Sequence, residues 1–169
     1  MIPLAQLNAA PRAEFVRHLG AIYEHSPWVA ERVWPQRPFA EVDSLHRAMC
    51  TAVAQADAAA QLTLIRAHPQ LAGKAAVRGE LTDASTREQR GAGLDQCSPA
   101  EFADITRLND AYQEKFGFPF IIAVRGHTRL SIIEAMATRL AKTPDTEFGE
   151  ALRQIERIAA FRLADMIQK

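Results

Sequence analysis

An all-α fold is what this chain predicts, and three observations carry the prediction. Apolar side chains recur at i, i+3 and i+4 in segment after segment, a Ser with Glu three positions later occurs twice as a helix-start signature, and the single extended apolar stretch has no second stretch to pair with. At 169 residues the simplest organisation is one domain over 1–169. A compact helical bundle of that size buries on the order of 70% of the surface its unfolded chain exposes, enough to enclose a site.

The elements follow in order. Pro11 opens a first helix with Phe15, Val16, Leu19 and Ile22 at helical spacing, and Gly20 makes it soft. Ser26 and Pro27 read as N-cap and first helical residue of a short helix holding Trp28, Val29 and Val33 and ending near Pro35. Val42, Leu45, Met49 and Val53 space out a third. The alanine-rich run 54–60 predicts helix continuing into Leu62, Leu64 and Ile65 and stopping at His68, because Pro69 lacks an N–H and clashes with the preceding turn. Periodicity fades over 75–84, where Gly79 and Thr82-Asp83 mark a loop.

Ser85 and Glu88 then have the spacing of a capping box, and Ser98-Pro99-Ala100-Glu101 repeats it. The second opens the clearest helix, with Phe102, Ile105, Leu108, Tyr112 and Phe116 on one face and Gly117 as its stop. Ile132, Ile133, Met136 and Leu140 define another helix, and a last one runs from about Thr146. Between them, Phe118-Pro119-Phe120-Ile121-Ile122-Ala123-Val124 reads as extended, since Pro119 disfavours helix at Phe118 and β-branched residues follow. Its backbone groups need partners, which either other loops or a polar ligand must supply. A core-crossing linker and a ligand-lining segment are both open.

Lys plus Arg equals Asp plus Glu at 20 each, so the charge gives no grip on nucleic acid or an anionic membrane. A small neutral or anionic ligand fits better. Cys50 and Cys97 show no disulfide or zinc spacing, no run approaches the ~20 apolar residues that span a bilayer, and no basic-then-apolar leader opens the chain. Ile167-Gln168-Lys169 is not a Ser-Lys-Leu address, and the cytoplasm is the expected location.

Three side chains carry candidate chemistry. His68 sits at a helix break, where it is either a poised proton carrier or a histidine packed at a helix end. Glu88 is either a cap alone or a carboxylate that orients and charges an imidazole. On the last helix Phe148, Leu152, Ile155, Ile158, Ala159, Leu163 and Met166 form one apolar arc that contains Arg162 but not Arg157. A guanidinium there stays charged, so it is a buried salt bridge, a snorkelling stem or a clamp for a substrate anion.

Read together, the segments resemble the 2-oxo-4-hydroxy-4-carboxy-5-ureidoimidazoline (OHCU) decarboxylase family over nearly the whole length. The resemblance lies in Tyr23-Glu24-His25-Ser26-Pro27-Trp28, in Arg66-Ala67-His68-Pro69-Gln70-Leu71-Ala72, and in Ser85-Thr86-Arg87-Glu88-Gln89 with Ala92-Gly93-Leu94. It continues through Phe116 to Gly126 and through Arg157-Ile158-Ala159-Ala160-Phe161-Arg162-Leu163. The resemblance implies an all-helical, homodimeric, cofactor-free enzyme of the urate pathway that forms (S)-allantoin from a small ureide. It implies catalytic His68, Glu88 and Arg162, and substrate contacts from Pro69, from Ser85, Thr86, Arg87, Glu88 and Gln89, and from Phe120, Ile121, Ile122, Ala123 and Val124. Some relatives carry a fused hydroxyisourate hydrolase domain or a peroxisomal tail, and the sequence leads us to expect a stand-alone bacterial-type enzyme.

The implied chemistry needs no metal or pyridoxal. The carboxylate sits beside a C=N bond that takes up the electrons released with carbon dioxide, so the protein has to orient the carboxylate, stabilise negative charge and deliver a proton. By that reading His68 transfers the proton, Glu88 tunes it, Arg162 holds the anion and Gln89 bonds the ureido or ring amide. Two other classes compete. A metal hydrolase needs converging ligands, and only His46 with Cys50 has i, i+4 spacing, with no HExxH present. A non-catalytic helical module explains the amphipathic helices but not Arg162 on the apolar arc.

Overall fold

The computed structural model describes residues 1–168 and is predominantly helical, divided into two compact units. The first unit comprises Met1–Ala67 together with the chain from Ile155 onward. It holds β1 (Ile2–Pro3), α1 (Leu4–Ala9), α2 (Arg12–Leu19), α3 (Trp28–Val33) with a 3-10 turn at Trp34–Gln36, α4 (Val42–Ala54) and α5 (Ala58–Arg66). The second half of α10 (Pro144–Met166) and β2 (Ile167–Gln168) complete it. Leu7, Phe15, Leu19, Val33, Leu45, Met49, Leu64, Ile65 and Leu163 are fully buried in this unit. They are the positions at which apolar side chains recur at helical spacing.

Several boundaries differ from the sequence expectation for local reasons. Gly20 ends α2 rather than softening its middle, and a Cβ there would sit 2.6 Å from the Val16 carbonyl oxygen. The alanine-rich run is broken: Asp57 accepts from the Ala60 N–H at 2.7 Å and caps a new helix, so capping overrides alanine's helix propensity. Ahead of Pro11 lies α1, whose last carbonyls are taken by Arg37, with Nη1 at 2.8 Å from Asn8 and 2.6 Å from Ala10. The two-residue strands β1 and β2 pair in parallel, Ile2 beside Ile167.

The second unit, His68–Gln154, holds α6 (Lys74–Val77), α7 (Asp83–Gly91), a 3-10 turn at Leu94–Gln96, α8 (Pro99–Phe116), α9 (Arg129–Leu140) and the first half of α10. The Ser98/Glu101 capping box is formed, with Pro99 at the first helical position. The hydrogen bond from the Ser98 N–H, with the Arg129 guanidinium close by, holds the Glu101 carboxyl below its usual range. Gly117 ends α8 at φ 75°, the left-handed conformation that favours glycine. Phe102 is the exception on this helix: it is exposed, and Asn109 is buried beside Ile105, Leu108 and Tyr112. The helix start does not fall at Ser85: Thr82 caps α7 and accepts from the Ser85 N–H at 3.3 Å. The helix thus starts two residues before Ser85.

Candidate active site

His68 follows α5 directly. The helix ends at Arg66 with Ala67 as its C-cap, Pro69 prevents another turn, and the imidazole is left 7% exposed. Beyond it Ala72 adopts φ 46°, a left-handed conformation unusual for a residue with a Cβ. The surroundings hold it there: Gln89 Oε1 accepts from the Ala72 N–H at 2.8 Å, Gln89 Nε2 donates to the Gln70 carbonyl at 3.3 Å, and Asn109 Nδ2 donates to the Leu71 carbonyl at 2.9 Å. Three main-chain groups of the loop that carries His68 are thereby fixed by two buried amides.

The start of α7 at Asp83 sets which of its residues face inward. Ser85 and Gln89 are buried one turn apart, Thr86 and Glu88 are half-buried between them, and Arg87 is exposed. Glu88 lies in the body of the helix, its own carbonyl accepting from the Ala92 N–H at 3.2 Å. Pro69 is half-buried.

The segment Phe118–Val124 is extended, buried along its whole length, and belongs to no sheet. Side chains hold it instead. Arg139 Nη1 donates to the Ile121 carbonyl at 2.7 Å, Gln154 Oε1 accepts from the Ala123 N–H at 2.9 Å, and the Val124 carbonyl accepts from the His127 N–H at 2.9 Å. Among the described residues, the N–H groups of Ile122 and Val124 meet no protein acceptor. Those are donors a ligand could use.

Arg139 is itself fixed by a buried network. Its Nε donates to Glu147 Oε2 at 2.9 Å, Tyr112 donates its hydroxyl to the same oxygen, and the guanidinium stacks on Phe120 with its carbon 4.4 Å from the ring centroid. Burial, then the bond to Glu147, pushes the Tyr112 hydroxyl above its ordinary range, so it remains a donor. Tyr112 also meets Phe120 edge-on at 5.3 Å and Phe118 at 6.0 Å. Glu150, half-buried on the same helix as Gln154, is pulled up by burial but brought below its usual range overall by hydrogen bonds from Gln154 and Arg153. Sequence reasoning passed over Arg139, Glu147, Gln154 and Asn109. The signal that could have found Asn109 is its place on the apolar arc of α8, the same kind of anomaly that exposed Arg162.

Arg162 belongs to the other unit and is 8% exposed, whereas Arg157 is exposed. Its Nη1 donates to Glu24 Oε2 at 2.8 Å and lies 3.4 Å and 3.3 Å from the carbonyl oxygens of Ala21 and Ile22. The sequence read Glu24 only as part of a motif. In the same unit, His46 Nε2 lies 3.3 Å from Cys50 Sγ and 2.9 Å from the Glu156 carbonyl oxygen, while burial raises the Cys50 thiol above its ordinary value. That thiol stays protonated at neutral pH. Among the described residues no group of three or more His, Cys, Asp or Glu side chains is placed to hold a metal ion, and no helix is long and apolar enough to cross a membrane.

Comparison with known proteins adds a second line. A family model described as OHCU decarboxylase matches residues 8–164. The 2-oxo-4-hydroxy-4-carboxy-5-ureidoimidazoline decarboxylase of Haloferax volcanii is 45% identical over 164 residues, which are 97% of this chain and 95% of that protein. That of Halalkalicoccus jeotgali is 42% identical over 165 residues, 98% of this chain and 92% of its own length. A crystal structure of an (S)-allantoin synthase superposes with a TM-score of 0.80 at 33% identity, covering 99% of this chain and 54% of that one, so this chain spans about half of that protein.

Proposed function

The chain belongs to the OHCU decarboxylase family, and on that premise we propose that it converts 2-oxo-4-hydroxy-4-carboxy-5-ureidoimidazoline to (S)-allantoin and carbon dioxide in urate degradation. One observation carries the reading: decarboxylases at 42% and 45% identity align end to end with this chain, their own lengths covered to 92% and 95%. The enzyme is a carboxy-lyase that acts on a small ureide. We also propose that it works without metal or organic cofactor, as a single domain over 1–169, as a homodimer and in the cytoplasm.

The bond that breaks joins the ring carbon to its carboxylate. The electron pair left behind moves into the adjacent C=N bond, giving an enediamine-like intermediate that a proton then quenches at carbon. The substrate is its own electron sink. We assign the proton to His68, its orientation and charge to Glu88, and the anion to Arg162. Pro69, Ser85, Thr86, Arg87, Gln89 and the backbone of Phe120, Ile121, Ile122, Ala123 and Val124 are assigned to substrate contact. Two features support these assignments: Glu88 is half-buried on the helix that carries the buried Ser85 and Gln89, and Ile122 and Val124 offer buried N–H donors.

The test generates the unstable substrate in situ from urate with the two preceding enzymes and follows the chirality of the allantoin formed. Spontaneous decay gives racemate, so an excess of the S enantiomer that scales with added protein supports the reading. Racemic product at every protein concentration overturns it.

A further inference from the structure

We propose that Asn109 is a positioning residue for the reaction, holding the loop that aims His68 from α8, one helix away in the same unit. The proposal rests on the assignment of proton transfer to His68. Asn109 is 3% exposed and occupies an apolar arc beside Ile105, Leu108 and Tyr112, where leucine would pack without any polar atom to satisfy. Its amide oxygen is buried and has no partner among the described residues. A buried acceptor left unmade is destabilising, so the donor side of the amide has to account for its place here.

The amide nitrogen supplies the reason. It donates at 2.9 Å to the carbonyl of Leu71, three residues after His68 and next to Ala72 with its left-handed backbone. Gln89 grips the same turn from the other side through the Gln70 carbonyl and the Ala72 N–H. The His68-Pro69 corner therefore has its far end fixed to two helices, and among the described residues Asn109 is the side chain that donates to the central carbonyl. Geometry at a reacting centre is sensitive to this kind of support, since displacement of a reacting group by about 1 Å can cost on the order of 100-fold in rate.

The experiment compares wild type, Asn109→Leu and His68→Asn for kcat, KM and thermal unfolding, with substrate generated in situ. Asn109→Leu removes the unpartnered oxygen along with the donor, and because the buried Leu71 carbonyl then loses its bond we expect a melting temperature modestly below wild type, with the protein still folded at the assay temperature. Its kcat should fall about tenfold while KM stays within about twofold, because the loop's aim is lost and not the binding surface. A wild-type kcat in Asn109→Leu overturns the proposal, as does a loss of activity fully accounted for by loss of folded protein. If Asn109→Leu does not fold, Asn109→Ser is used: its hydroxyl falls short of the Leu71 carbonyl, the same drop in kcat is expected, and an unchanged rate is equally decisive. A wild-type rate in His68→Asn removes the reading on which the proposal rests. A dead His68→Asn beside a fully active Asn109→Leu removes the proposal alone.

Discussion

Arg162 and Glu24, 138 positions apart in the chain, form a buried ion pair, Nη1 to Oε2 at 2.8 Å, with side chains 7% and 2% exposed. Breaking such a pair from one side leaves an uncompensated charge, so Glu24→Gln should lower unfolding stability by about 3 to 5 kcal/mol in urea titration. Arg162→Lys keeps the charge and loses the planar fork. If Arg162 also holds the substrate anion, this variant loses affinity for an unreactive anionic ureide far more than it loses melting temperature. The reverse ordering would reduce Arg162 to a structural partner of Glu24.

Glu88 separates capping from chemistry. Since Thr82 caps α7 and Glu88 sits in its body, Glu88→Gln removes charge and keeps the helix start, and the circular dichroism should be unchanged. The decarboxylation rate should fall by ~100-fold or more if the carboxylate orients and charges the proton carrier. Equal rates in the two proteins would end that role.

The Arg139, Glu147 and Tyr112 network should respond unequally to its two simplest lesions. Tyr112→Phe deletes one donor to Glu147 while Arg139 remains, at a cost of about 1 kcal/mol. Glu147→Gln leaves a guanidinium 11% exposed without its counter-charge and should cost about 3 kcal/mol or more. Chemical denaturation of the two variants checks the ordering, and equal losses would mean that the ion pair contributes nothing beyond the hydroxyl bond.

Stability should also fall on the alkaline side. Burial first, and neighbouring negative charge second, lift the Cys50 thiol above its ordinary 9.0, and burial lifts the hydroxyls of Tyr23 and Tyr112 above 10.0. As pH rises past these ordinary values the unfolded chain releases protons that the folded chain keeps, so folding loses ground; below about pH 9 both states hold them and these groups contribute no slope. The urea midpoint should decline from about pH 9 upward, less steeply in Tyr23→Phe. A midpoint flat to about pH 10.5, or an identical slope in the variant, would contradict this.

How far the fold could be read in advance follows from which forces leave a periodic trace. Burial does, so α4, α8, α9 and the arc of α10 were legible from spacing. Competing caps do not. Thr82 and Ser85 are both good N-caps, and the earlier one wins in the structure, where it leaves Ser85 and Gln89 on one buried face. Asp57 was hidden among alanines that favour helix on either side of it. The extended segment was legible as an anomaly, but its partners were not: Arg139 and Gln154 reach it from α9 and α10, and a contact of one side chain with one carbonyl has no period. Glu24 escaped notice for the same reason, being paired only through the fold.

The pairing of Ile2 with Ile167 and of Pro3 with Gln168 bears on how the chain could be rewired. The two strands run parallel, so Gln168 lies beside Pro3 and not beside the start of β1, and a linker from one to the other has to double back along the ribbon. New ends cut into the exposed turn at 141–143, between α9 and α10, would interrupt neither helix. In such a circular permutant the seam moves while the packing stays, which makes the order in which the helices are synthesised separable from the architecture they form.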